Sequence, residues 1–176
     1  MAVRFLAADP RFVSPRFTLA VEAFETPDGP VERPVIHHPG AVGIIACPDP
    51  GHLVLVRQYR YALRRWTLEI PAGTCEPGEA PEVTAARELQ EEAGFRAARL
   101  TEVTRFLPTP GLSDEVMILY RAEGLVPAPT DPDHGELIHP EVIALRDWRS
   151  LRDEGLICEA KTLIALALLG ESLAHA

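Results

Sequence analysis

Three glutamates, Glu88, Glu91 and Glu92, crowd into one turn of a segment, Pro81 to Ala93, that reads as a helix. Pro81 suits the first helical turn, and Gly94 suits the position just past the last. On a wheel turning about 100° per residue with Glu88 at zero, Glu92 lies at roughly +40° and Glu91 at roughly −60°. Val83, Ala86, Leu89 and Ala93 then lie between about 100° and about 220°, so this reading predicts an apolar face opposite three clustered carboxylates. Glutamates spaced i, i+3 and i+4 repel one another and weaken an isolated helix by about a few tenths of a kcal/mol. One explanation is a solvated acidic face. The other is a divalent cation: hard Mg²⁺ is held by a few carboxylates together with water and substrate phosphates, which would make the chemistry that of a phosphate compound.

The residues around the helix decide between these. The segment Gly73-Thr-Cys-Glu-Pro-Gly-Glu79-Ala-Pro-Glu-Val-Thr-Ala-Ala-Arg87-Glu88-Leu89-Gln-Glu91-Glu92-Ala-Gly94-Phe95 resembles the Nudix box. That pattern is Gly, five residues, Glu, seven residues, then Arg-Glu-apolar-any-Glu-Glu-any-Gly-apolar, and every specified position matches. The box covers 23 of the 176 residues. The resemblance implies that Glu88 and Glu92 ligate metal, that Glu91 assists in the same cluster, and that Ala72, just before the box, offers a backbone carbonyl to a metal. Glu79 and Arg87 are expected to pair and tie the loop to the helix. Gly73 would let the backbone approach the site, and Gly94 would take the left-handed turn ending the helix. The implied reaction is metal-assisted hydrolysis with Mg²⁺, or Mn²⁺ as a substitute.

The flanks extend the resemblance to roughly Val35 through Tyr120. Leu68-Glu-Ile-Pro-Ala-Gly73, His38-Pro-Gly-Ala-Val42, Val56-Arg-Gln-Tyr-Arg60 and Thr109-Pro-Gly-Leu-Ser-Asp-Glu115 are similar to segments of ADP-ribose pyrophosphatases and related nucleotide-sugar hydrolases. Pro110 stands where ADP-ribose-preferring members carry a marker proline. The likeness implies that Arg60 contacts substrate phosphates, a task its guanidinium fork suits. Glu115 is expected at the ribose or a metal-bound water, or else as a plain strand end. A catalytic glutamate late in the chain aligns with Glu136, with Asp133 as the rival. Arg33 and Glu32 are candidates for gripping the base, although Pro34 interrupts the usual pattern there. Trp66 is read as core, and His37, His38 and His139 as ordinary polar residues.

Those residues need a scaffold. Short β-like runs come first: Phe17–Phe24, Val35–His38, Ala41–Ala46, His52–Tyr59 and Trp66–Ile70, separated by turn signals such as Thr26-Pro-Asp-Gly29 and Pro48-Asp-Pro-Gly51. After the box helix come strands at Leu100–Leu107 and Glu115–Arg121, a proline-rich exposed loop from Gly124 to Pro140, a last strand at Val142–Leu145, and helices at Asp147–Glu154 and Glu159–Leu173. This order predicts a mixed sheet between helical layers. The resemblance makes it an α+β, Nudix-type α/β/α sandwich with a catalytic loop-helix-loop. Residues 1–40 are expected to form an N-terminal strand region contributing to a homodimer, and residues 41–176 the hydrolase domain.

The bulk numbers exclude some partners. A formal net charge of −9, without a basic stripe, disfavours extended nucleic acid and anionic membrane surfaces. No stretch approaches the ~20 apolar residues of a membrane span. Cys47, Cys75 and Cys158 have no metal-ligand spacing and read as reduced thiols, which with the N-terminal sequence points to the cytoplasm. The expected activity is cleavage of ADP-ribose to AMP and ribose 5-phosphate. The rivals are another nucleoside diphosphate sugar such as GDP-mannose, and a non-catalytic ligand-sensing Nudix domain.

Overall fold

The structure is a computed structural model and describes residues 2–132 and 135–174, the last four without their side chains. Three N-terminal strands, β1 (Arg4–Val13), β2 (Thr18–Thr26) and β3 (Gly29–His37), form an antiparallel sheet in the order β1-β2-β3. The body follows with β4 (Ala41–Ala46), β5 (His52–Arg60), β6 (Arg65–Glu69), β7 (Ala72–Thr74), helix α1 (Pro81–Ala93), β8 (Phe95–Arg96) and β9 (Arg99–Phe106). It closes with β10 (Met117–Glu123), β11 (Val126–Pro127), β12 (Ile138–Ala144), α2 (Trp148–Asp153) and α3 (Ala160–Ala174).

One four-stranded sheet runs β7-β4-β10-β9, with β4 and β10 parallel and the other neighbours antiparallel; a second, antiparallel sheet runs β12-β5-β6. Strands β4, β5 and β10 are buried on both faces, so they read as near-continuous apolar runs. Alternation still sorts their side chains. Val42, Ile44, Val54, Val56, Ile118 and Tyr120 pack with α1 through Ala85 and Leu89. Ala41, Ile45, Leu53, Leu55, Met117 and Leu119 pack on the other side with α3 through Ala165 and Leu166. A mixed sheet layer therefore lies between helices, as the element order predicts. Among the described residues, no helix is long and apolar enough to cross a membrane.

Several boundaries differ from the sequence reading. Strand β1 was not expected at all: its ten positions are all exposed, so it carries no burial pattern. Strand β3 begins before Val35 and runs straight through Pro34, which pairs with Val21. It can do so because β3 is an edge strand, where a missing N–H costs no ladder bond. The last strand likewise starts at Ile138 rather than Val142, and Pro140 is tolerated because β12 is an edge. Trp66 is not core. It is 36% exposed, edge-on to Tyr59 and stacked with His139, because it sits at the start of β6, before the strand turns inward at Thr67.

Candidate active site

Helix α1 begins at Pro81 and ends on Gly94, whose φ of 72° is the left-handed value that glycine adopts without penalty. Its buried residues are Thr84, Ala85, Leu89, Glu92 and Ala93, while Val83 is 56% exposed. The inward face is thus rotated from the one the wheel predicts: Val83 and Ala86 lie outside, and Glu92 lies on the packed side. The small Thr84 and Ala85 let the helix sit close to the sheet. A carboxylate can face inward because the Ala72 amide donates to its Oε2 at 2.8 Å.

Gly73 shows how close the approach is. A Cβ on it would stand 1.9 Å from Glu88 Oε1, so only glycine admits that side chain. Glu88 and Glu91 are drawn to Arg87, whose Nη1 donates to Glu88 Oε1 at 2.8 Å and to Glu91 Oε2 at 3.0 Å. The same guanidinium donates through Nε and Nη2 to Glu79 at 3.3 and 3.2 Å, and Thr84 Oγ1 donates to Glu79 at 2.8 Å. The Glu79–Arg87 tie between loop and helix is therefore present, and Arg87 also holds two of the three clustered glutamates.

Burial governs the electrostatics. Desolvation pushes the Glu92 carboxyl up to about 8 and the Glu88 carboxyl up to about 7, and the negative charge of Glu136 adds to both shifts. A 340 Å³ cleft brings Ala72, Glu88, Glu91, Glu92 and Glu136 together. Glu136 reaches it from the loop before β12, and Arg16, at the turn between β1 and β2, contacts Glu136 at 3.5 Å. Among the described residues, no three acidic, histidine or cysteine side chains converge closely enough to ligate an ion as they stand. The donor set nonetheless fits a hard divalent cation: the carboxylate oxygens of Glu88, Glu91 and Glu92, with desolvation disfavouring the charge of Glu88 and of the buried Glu92.

Ala72 and Gly73 also line a second cleft of 340 Å³, with Arg60, Glu115, Pro108, Glu159 and Lys161 around it. Arg60 does not stand free there. Its Nε and Nη2 donate to the two oxygens of Glu69 at 2.8 and 2.5 Å. Arg33 and Pro110 meet elsewhere, in a 510 Å³ cleft between β3 and the Pro110–Asp114 loop. Backbone bonds from Ile36 N to Leu112 O (2.9 Å) and from Asp114 N to Ile36 O (3.2 Å) join that loop to β3. His37 bridges Asp114 (2.7 Å) and Glu22 (3.0 Å), and the Asp114 contact above all raises its pKa. Thus Arg60 and Glu115 share a wall with the glutamates, and Arg33 and Pro110 line a separate cleft. Asp133 lies outside the described residues. Sequence reasoning missed Arg16, Glu69 and Lys161. Glu69 carried a signal, a charge between Leu68 and Ile70 in a strand; Arg16 carried none.

An α/β/α sandwich that packs a glutamate-rich helix against a glycine-bearing edge strand defines a class of metal-assisted phosphate-anhydride hydrolases. The NUDIX domain family matches residues 37–162, and the chain belongs to that family. It is 39% identical over 154 residues to an ADP-ribose pyrophosphatase of Bacillus subtilis (strain 168), covering 86% of this chain and 83% of that protein. It is 37% identical over 162 residues to a methanol dehydrogenase activator of Bacillus methanolicus, covering 89% and 88%. A crystal structure of an ADP compounds hydrolase superposes with a TM-score of 0.82 at 27% identity, over 99% of this chain and 96% of that one.

Proposed function

We propose that this enzyme hydrolyses the pyrophosphate bond of ADP-ribose, adding water to give AMP and ribose 5-phosphate. The observation that carries this reading is the shared wall at Ala72–Gly73, with the carboxylates Glu88 and Glu92 on one side and the Arg60 guanidinium on the other. A dianionic pyrophosphate calls for both, a seat for a cation that would offset its charge and a guanidinium fork that can donate to its non-bridging oxygens. The ADP-ribose pyrophosphatases of Bacillus subtilis and Mycobacterium tuberculosis among the relatives, at 39% and 34% identity, support the choice of substrate.

In this reading Glu88, Glu91 and Glu92 with the Ala72 carbonyl would hold a divalent ion, Mg²⁺ or Mn²⁺ in its place, which would supply charge neutralisation of the pyrophosphate and a more acidic water. Arg60 grips a substrate phosphate, Glu115 approaches the ribose side, and Arg33 with Pro110 serves the base end. Glu136 accepts the proton of the attacking water as the phosphorus–oxygen bond to the leaving phosphate breaks. Residues 1–40 act as the strand region of a homodimer. The exposed Phe5 (54%), Phe12 (53%) and Val13 (69%) of β1 support that role, because apolar strand residues call for a covering partner. Three free cysteines support action in the reducing cytoplasm.

Incubation with ADP-ribose, GDP-mannose, NADH, diadenosine polyphosphates and nucleoside triphosphates, with and without Mg²⁺, tests the reading by chromatography of the products. The expected result is AMP and ribose 5-phosphate from ADP-ribose, abolished by chelation. Faster turnover of triphosphates or of GDP-mannose would overturn the substrate assignment.

A further inference from the structure

Glu69 is 2% exposed, and its carboxylate is saturated. Arg60 donates to both oxygens, Thr67 Oγ1 donates to Oε1 at 2.7 Å, and Lys161 Nζ bonds Oε2. These cations hold the Glu69 carboxyl down to about 2 despite its burial. One arginine would already have matched its charge. The second cation is placed at some cost. Lys161 is only 7% exposed, and as the second residue of α3 it occupies the end of the helix where the macrodipole disfavours positive charge. Glu159 lies 3.4 Å from Nζ, but its two oxygens are occupied by the amides of Lys161 and Thr162 at 2.8 and 2.9 Å, as a cap for that helix.

The cost becomes intelligible at the cleft. Arg60 spends Nε and Nη2 on Glu69, leaving Nη1, and its side chain, 39% exposed, lines both the second cleft and a further one that it shares with Arg16, Tyr61 and Glu136. An isolated Arg60–Glu69 pair would be electrically neutral, and an incoming phosphate would compete with a full carboxylate for the same guanidinium. With Lys161 present the Glu69 carboxylate is shared between two cations, so Arg60 is no longer its sole counter-ion, and Glu159, within ion-pair distance of Lys161, keeps the group of four electrically neutral.

We infer that Lys161 is a positioning residue: it takes up the charge of buried Glu69, so that Arg60 stays aimed into the cleft and free to donate to a substrate phosphate. This rests on the reading of Arg60 as the phosphate-gripping residue. Lys161 itself needs no contact with substrate. Replacing it by an apolar side chain leaves Glu69 dependent on Arg60 alone, and the guanidinium is then held back from the cleft.

A double-mutant cycle with ADP-ribose and Mg²⁺ tests this. Lys161→Met should raise KM about tenfold or more while kcat changes less than about threefold, and Lys161→Arg should restore most of the affinity. In a Glu69→Gln background there is no charge to absorb, so adding Lys161→Met should leave KM unchanged. If Lys161→Met alone fails to fold, Lys161→Gln, which keeps a hydrogen-bond donor to Glu69 without the charge, supplies that corner of the cycle with the same expected KM rise. A lowered melting temperature with unchanged KM overturns the inference, as does a KM rise of equal size in both backgrounds, which would mean direct contact. A wild-type protein inactive on ADP-ribose, or an Arg60→Gln variant with wild-type KM, overturns the functional reading instead.

Discussion

Replacing Glu92 by glutamine should make the metal-free protein more stable while nearly abolishing its activity. Glu92 is 5% exposed and its carboxyl is pushed from 4.5 up to about 8 by burial. A carboxyl with a raised folded-state pKa destabilises the fold once the unfolded chain ionises. The penalty is absent below the unfolded value of 4.5, grows between there and about 8, and is complete above it. At about pH 7.5 linkage puts it at roughly 4 kcal/mol. Glutamine keeps the acceptor for the Ala72 amide and has no charge to desolvate. Allowing for relaxation around Glu88, about 2–3 kcal/mol should return, or a rise of about 4–10 °C in melting temperature for a chain of this size. With saturating Mg²⁺ the order should narrow or invert, since ligand at about 100 times Kd contributes about 2.7 kcal/mol to a protein that binds it. The assay is thermal denaturation of both proteins at pH 5.5 and 8, in chelator and in Mg²⁺, beside turnover of ADP-ribose. A variant that melts no higher than wild type in chelator at pH 8 would refute the argument that this carboxylate is held against its own burial.

Two further outcomes follow from the same site. Gly73→Ala places a methyl 1.9 Å from Glu88 Oε1, at a residue whose backbone is not left-handed. The protein should fold with circular dichroism like wild type, yet lose about 100-fold or more in kcat as Glu88 is displaced; near-normal turnover would show that Glu88 can move without consequence. Glu136→Gln should lower kcat by about 10²–10⁴ with KM little changed, measured by steady-state kinetics, and unchanged kinetics would remove Glu136 from the reaction.

What could be read from the chain divides by distance. The helix Pro81–Ala93, its proline start, its Gly94 end and the Glu79–Arg87 tie involve residues within about 15 positions of one another, and all are found, the helix and its ends as the spacing implies and the tie as the family resemblance implies. The depth of Glu92 was not legible. The wheel weighs Val83 and Ala86 as core because they are apolar, whereas the sheet accepts the small Thr84 and Ala85, and the amide of Ala72 makes room for a carboxylate. Strand β1 had no pattern to read, since burial alternates only when one face is covered.

The second cleft lay further out of reach for a related reason. Glu69 meets Arg60 only through the pairing of β5 with β6, and meets Lys161 across 92 positions of chain. No local spacing encodes such a meeting. A buried charge within an apolar strand, as at Leu68-Glu69-Ile70, does predict that some cation must arrive, because an unpaired carboxylate there would not remain ionised. It does not predict two. That second cation separates a cluster serving only stability, which one arginine satisfies, from one that leaves a guanidinium available to a phosphate.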